Sequence, residues 1–199
     1  MNGAELLLGE AALKRRGKRV ALVCGEETLT TAGLAERARR AAGAYLAHGV
    51  RPGDRVILLM RDTPEAAAAW LGAVHAGAVA VALNGKIAEA DYRHILADSA
   101  AKLVLVEDVF ARARPDLTAE LVGQRRVAIA GGSAPAGASW RAWLQSAPDA
   151  ASYDCNSAAP AFALYSSGTT GRPKGIVHSH KVFLHVGKAF GAFGLEAGE

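Results

Sequence analysis

The chain is short of cysteine and of aromatic residues, and each shortage removes a class of protein. Of 199 residues only two are cysteine, Cys24 and Cys155, far apart and without a Cys-x-x-Cys pair or a Cys/His cluster. That spacing excludes a zinc ribbon and argues against a disulfide framework. Phe, Trp and Tyr make up 6% of the chain, and its basic groups (Lys14-Arg15-Arg16, Arg39-Arg40, Arg125-Arg126) are short and scattered. A nucleic-acid binder more often gathers cations into a stripe interleaved with aromatic or polar readers, so no nucleic-acid partner is expected. The net charge of +4 is mild, and no internal repeat is visible.

Long hydrophobic runs are also missing. The nearest to one is residues 66–83, eighteen residues without a formal charge. A membrane span would carry more Leu, Ile and Phe. This segment is mostly Ala and Gly, with His75 in its middle and Gly72 and Gly77 inside it. No span is expected there. At the N-terminus, Glu5 and Glu10 interrupt the apolar part and the basic residues follow it, the wrong order for a secretory signal. With two thiols and no framework to pair them, a reduced, cytoplasmic setting is the simplest expectation.

What the chain does have is 51% hydrophobic and 21% charged residues, a globular composition in a length that can bury a core. Residues 20–24 and 28–30, with Gly25-Glu26-Glu27 between them, read as a small hairpin. Thr31 is placed as the cap of a helix carrying Leu34, Ala38, Ala41, Tyr45 and Leu46 at helical spacing, closed by Gly49. Continuous apolar runs at 56–60, 78–83, 103–106 and 127–130 read as strands covered on both faces. Between them, Thr63-Pro64-Glu65 starts a helix that runs to about His75, and 89–99 looks helical with Tyr92, Ile95 and Leu96 on one side. A small-residue linker (131–137), a short helical piece (140–144), a polar loop (147–159), a strand (162–165), an apolar pair (Ile176-Val177) and a helix from about His180 follow. Residues 193–199 read as a helix stop and a turn. The predicted fold is α/β: a mostly parallel sheet flanked by helices, with a small N-terminal β-hairpin.

The segment richest in chemistry is Ser166-Ser167-Gly168-Thr169-Thr170-Gly171-Arg172-Pro173-Lys174-Gly175. It follows a strand and packs three glycines, four hydroxyls and two cations into ten residues. Those parts suit a polyphosphate. Glycines let backbone N–H groups approach an anion closely, hydroxyls donate to phosphate oxygens, and Lys and Arg supply positive charge. It is not a Walker A loop: counting from Gly168, the sixth position is Pro173, and Lys174 is followed by Gly175 and not by Ser or Thr. No Gly-x-Gly-x-x-Gly follows the early strands either. On composition alone, a plain glycine-rich surface turn remains an equal alternative.

SSGTTGRPKG resembles the phosphate loop of the adenylate-forming, AMP-binding superfamily: acyl- and aryl-CoA synthetases, luciferases and peptide-synthetase adenylation domains. Leu164-Tyr165-Ser166-Ser167 and Ile176-Val177-His178-Ser179-His180 look most like the benzoate-type aryl-CoA ligases. Residues 30–49, 51–56, 72–79 and 91–106 resemble further parts of the same family, so the resemblance covers nearly the whole chain. It implies an adenylate-forming N-terminal subdomain, with 1–199 as an incomplete N-terminal portion of the family's large domain and the C-terminal domain absent. It also implies ATP, Mg2+ and coenzyme A as co-substrates, a small carboxylic acid as partner, and an acid–thiol ligase activity that yields an acyl-adenylate and then acyl-CoA. Ser166, Ser167, Gly168, Thr169, Thr170, Gly171 and Lys174 would hold the ATP phosphates, with Arg172 solvent-facing or auxiliary. The catalytic lysine is expected beyond residue 199, so this chain alone is not expected to turn over. Alternatives kept open are a non-catalytic nucleotide-binding or interaction module of this fold and an adenylation domain loading a carrier protein. A homodimer stays open, and exposed apolar surface is expected near Leu58 and Phe162, where strands would miss neighbours.

The remaining candidates are read as structural. A metal at His178 and His180 would need a third ligand, for which His185 is the candidate; the two are read as loop and helix-start histidines, and no metal site is expected. His75 is a core histidine, Trp70, Trp140 and Trp143 are packing, and Glu26-Glu27 is a turn. Glu107-Asp108 ends a strand, where parallel-sheet sites gather, but a structural role leads. Neither cysteine has an activating neighbour.

Overall fold

The computed structural model describes residues 1–166 and 171–192, the last six by backbone alone. In chain order the elements are helices α1 (Gly3–Leu8) and α2 (Glu10–Arg16), strands β1 (Val20–Cys24) and β2 (Glu27–Thr30), α3 (Thr31–Ala47), β3 (Arg55–Leu59), α4 (Pro64–His75), β4 (Val79–Ala82), α5 (Glu89–Ser99) and β5 (Leu103–Glu107). Then come α6 (Asp108–Ala113), α7 (Pro115–Gly123), β6 (Val127–Ala130), α8 (Trp140–Ser146), β7 (Pro160–Ser166), β8 (Lys174–Ser179) and α9 (Lys181–Ala192). Helices α1, α2, α6 and α7 had no counterpart in the sequence reading. The end segment 193–199 lies outside the described residues.

Strands β1 and β2 form the expected antiparallel hairpin, turning at Gly25 with φ +58°. The six-stranded sheet has the order β6-β5-β3-β4-β7-β8. All neighbours run parallel except β8, which returns antiparallel to β7. This is the expected mostly parallel α/β architecture.

The apolar runs are continuous because both sheet faces are covered. Side chains alternate across a strand. Val56 and Leu58 of β3, with Leu103 and Leu105 of β5, therefore join one core with α3, α4 and α8. Ile57, Leu59, Val104 and Val106 join the other core with Tyr92 and Ile95 of α5 and Leu117 and Leu121 of α7. Helix α4 is the Ala-rich segment 66–83 in part: twelve residues, capped by Thr63 Oγ1 on the Ala66 N–H at 3.2 Å. It crosses α3 so closely that a Cβ on Gly72 would lie 2.6 Å from the Ala41 Cβ. The small side chains serve that close crossing. Among the described residues no helix is long and apolar enough to cross a membrane.

One cap moves. Thr30, not Thr31, is the N-cap of α3, its Oγ1 accepting from the Gly33 N–H at 3.1 Å. Thr31 is already helical, and its N–H donates to the Arg19 carbonyl. The exposed apolar surface also moves. Leu58 is 4% exposed because α4 and β4 cover it, and Phe162 is half-buried against Trp70, ring centroids 5.3 Å apart. In this sheet the exposed large apolar residues include Leu164 on β7 and Ile176 and Val177 on β8, and Val20 and Val23 of β1 are exposed as well.

Candidate phosphate-binding site

Residues 167–173 join β7 to β8. Ser166 pairs with Lys174 and Tyr165 with Gly175 in an antiparallel register. Paired residues share a sheet face, so Ser166 and Lys174 are set side by side on one face. Tyr165 and Gly175 lie on the other face, which is turned toward α5. Both Ser166 and Lys174 are exposed, and Lys174 has no ion pair among the described residues. Of the expected phosphate-binding residues, Ser166 and Lys174 are thus placed at the two stems, and Gly171 lies in the connection three residues before Lys174. Ser167, Gly168, Thr169 and Thr170 lie outside the described residues.

The stems rest on α5. The Tyr165 hydroxyl donates to Asp98 Oδ2 at 2.6 Å. His94 Nε2 lies 3.1 Å from the Pro173 carbonyl oxygen. A carbonyl can only accept, so that contact requires the tautomer with hydrogen on Nε2. His94 and Asp98 are four residues apart and share one helix face. Helix α5 is itself anchored: the Arg55 guanidinium at the start of β3 donates to the carbonyls of Ser99 and Ala100 at its C-terminus. Burial, then the hydrogen bond and charge of Asp98, push the Tyr165 phenol up from its ordinary value, so it stays a donor. Gly175 has a steric reason to be glycine. A Cβ there would stand 3.0 Å from the Tyr165 ring. His94, Asp98 and residues 171–175 line an open depression of about 530 Å³.

His94 and Asp98 escaped the sequence reading. Their one local signal is the four-residue spacing, and their partners are 67 and 79 positions away.

The other candidates take the structural roles expected of them. Glu107 is tied to Arg61, whose Nε donates to Oε1 at 2.9 Å, and that guanidinium holds the carboxyl below the usual carboxylate range. Asp108 pairs with Arg112. His75 is buried with Nε2 3.1 Å from the Ala150 carbonyl. His180 is buried too, Nδ1 accepting from the Gly3 N–H at 3.0 Å, and His178 stacks on Phe162 with centroids 4.7 Å apart. Trp140 and Trp143 are buried. Both cysteines are free thiols. Among the described residues no three His, Cys, Asp or Glu side chains gather to hold a metal.

A six-stranded α/β sheet with this loop at the end of an internal strand can be compared with known proteins. The family of AMP-binding enzymes matches residues 9–196. The chain belongs to that family. The 3-hydroxybenzoate–CoA/4-hydroxybenzoate–CoA ligase of Thauera aromatica is 38% identical over 189 residues, 92% of this chain and 36% of the relative. The benzoate–CoA ligase of Thauera aromatica is 30% identical over 195 residues, 95% of this chain and 36% of the relative. Among solved structures, the anthranilate CoA ligase AuaEII in complex with anthranoyl-AMP superposes with a TM-score of 0.83 at 27% identity, covering 96% of this chain and 37% of that one. This AMP-binding chain therefore spans about a third of the length of the relatives it matches.

Proposed function

We propose that this chain carries the phosphate-grasping part of an ATP-dependent acid–thiol ligase that activates an aryl carboxylic acid. The observation behind this reading is the Ser166–Lys174 pair, a hydroxyl and an ammonium set abreast at the stems of a glycine-rich loop, in a chain of the AMP-binding family. The names of its relatives support an aryl acid and coenzyme A.

In this reading residues 1–199 form the N-terminal portion of the large adenylate-forming domain, in a cytoplasmic enzyme. A carboxylate oxygen of the acid attacks the α-phosphorus of ATP, and the bond to pyrophosphate breaks to leave an acyl-adenylate. The thiol of coenzyme A then attacks the acyl carbon and AMP departs. The hydroxyls of Ser166, Ser167, Thr169 and Thr170 donate to the β- and γ-phosphate oxygens, joined by the backbone N–H groups of Gly168 and Gly171. Lys174 offsets the charge that gathers on the departing pyrophosphate, a stabilisation that grows along the reaction. Mg2+ accompanies ATP in this reading, and no step here is assigned to it. A second copy of the chain is a partner to seek by light scattering.

The test is acid-dependent exchange of labelled pyrophosphate into ATP by the full-length protein, across benzoate, hydroxybenzoates and fatty acids. Exchange driven by an aryl acid is expected. Exchange with fatty acids alone would overturn the aryl assignment, and none with any acid would overturn the ligase reading.

A further inference from the structure

The phosphate loop has a chemical inventory but needs a shape. Seven residues, 167–173, separate the paired Ser166 and Lys174. Fixing a residue's backbone costs about 1–2 kcal/mol in conformational entropy, so a loop of this length gains from having its ends held before a ligand arrives. Hairpin pairing holds them along one direction. β7 is paired to β4 only at Phe162 and Ala163, so beyond them the tilt of the hairpin's end is free to vary, and β8 has no strand on its other side among the described residues.

Two contacts from one helix remove that freedom. On the β7 stem, the Tyr165 hydroxyl, one residue before Ser166, donates to Asp98 at 2.6 Å. On the β8 stem, the carbonyl of Pro173, one residue before Lys174, accepts from His94 Nε2 at 3.1 Å. Pro173 is buried although its neighbours Arg172 and Lys174 are exposed. The bare Cα of Gly175 lets the Tyr165 ring cross the hairpin to reach Asp98. Arg55 holds the C-terminal end of α5, directly after Asp98, to β3 in the middle of the sheet. A continuous path thus runs from the buried sheet through α5 to both stems.

We propose that His94 and Asp98 are positioning residues for ATP, setting the tilt of the phosphate loop through Pro173 and Tyr165. The inference rests on the ligase reading above. Neither side chain touches substrate. Each acts by placing residues that do, and the effect falls on nucleotide and pyrophosphate, not on the carboxylic acid.

The experiment measures pyrophosphate exchange in the full-length protein with both substrates varied, alongside the urea midpoint of each variant. His94→Ala and Tyr165→Phe are each expected to raise the KM for MgATP about tenfold, the scale of one lost hydrogen bond, with the KM for the acid unchanged. Tyr165→Phe removes one oxygen and keeps the ring over Gly175, so it guards against simple misfolding. Two conservative variants should restore function: His94→Gln keeps an N–H donor and Asp98→Asn keeps an acceptor, and both should lie within about twofold of wild type. The proposal is overturned if His94→Ala and Tyr165→Phe leave the KM for MgATP within about twofold of wild type. It is equally overturned if the KM values for ATP and acid rise together while the urea midpoint falls, the mark of a merely structural role. An active wild type with unaffected variants removes only this inference. A wild type that exchanges with no acid removes the ligase reading and this inference together.

Discussion

Strands β3 and β8 belong to one sheet and could hardly be less alike. β3 has strands on both sides and helices over both faces, and four of its five residues are buried. β8 is six residues long, pairs only with β7 among the described residues, and exposes its first four. Sequence follows from position. β3 reads Arg-Val-Ile-Leu-Leu, whereas β8 opens on Lys174 and Gly175 and ends on His178 and Ser179. Burial on both faces leaves β3 little choice but aliphatic residues. Exposure frees β8 to present a cation and a glycine. Burial is therefore concentrated at the sheet's centre and, in the proposed reading, chemistry at its edge, and the two should be separable by mutation.

The sharpest way to break that separation is at Ile57, fully buried in the middle of β3. Ile57→Ala should cost about 4 kcal/mol of unfolding free energy by urea titration. A loss under about 1 kcal/mol would show that the centre does not carry the stability. Next, Lys174→Ala should slow pyrophosphate exchange in the full-length protein about a hundredfold, about 3 kcal/mol on the barrier. Its urea midpoint should stay at the wild-type value, as expected for an exposed side chain. A variant that unfolds with the loss of activity would merge the two regions.

A smaller effect is expected from acid. Burial holds the His75 and His180 imidazoles below their ordinary value, and for His180 the nearby N-terminal ammonium acts in the same direction. The unfolded chain takes up these protons near pH 6.5, before the native state does. Stability from the two histidines is therefore complete above about pH 6.5 and is lost as the pH falls below it. Urea midpoints measured between about pH 7.5 and 5.5 should decline, and His180→Asn should decline less steeply. Equal slopes would mean that the His180–Gly3 contact does not couple the end of the hairpin to α1. Smallest of all, Ile176→Ser at the exposed edge should change stability by no more than about 0.5 kcal/mol.

Much of the centre was legible in the sequence because its constraint is local. Apolar runs at 56–60 and 103–106 announced strands, and Thr63-Pro64-Glu65 announced α4. The misses share a physical cause. Helix α6 begins at Asp108 directly after β5 and has six residues, and α7, which starts at Pro115, has nine and buries only Leu117 and Leu121, so neither shows an extended periodic face. Helices α1 and α2 are six and seven residues long, and α1 is held from afar: the Asn2 amide donates to the Val74 carbonyl at 2.8 Å. Thr30 and Thr31 both qualify as a cap by residue type, and only the backbone decides between them. At the candidate site, the loop's composition was plain from ten consecutive residues. Its support by His94 and Asp98 was not, because no pattern along the chain reports contact between a helix and a hairpin so distant in sequence.

The return of β8 as a strand has an electrostatic consequence. In a strand–loop–helix phosphate site, the helix after the loop aims the positive end of its macrodipole, roughly half an elementary charge, at the anion. Here the segment after residue 173 is a strand, and sheets carry only small net dipoles. In the proposed reading no helix macrodipole stands behind the phosphates, so beyond the loop's own N–H groups attraction falls to the mobile, solvated ammonium of Lys174. Exposed charges of that kind are screened within about 8 Å at physiological ionic strength. Nucleotide affinity at this hairpin should fall more steeply with added salt than at a helix-backed loop.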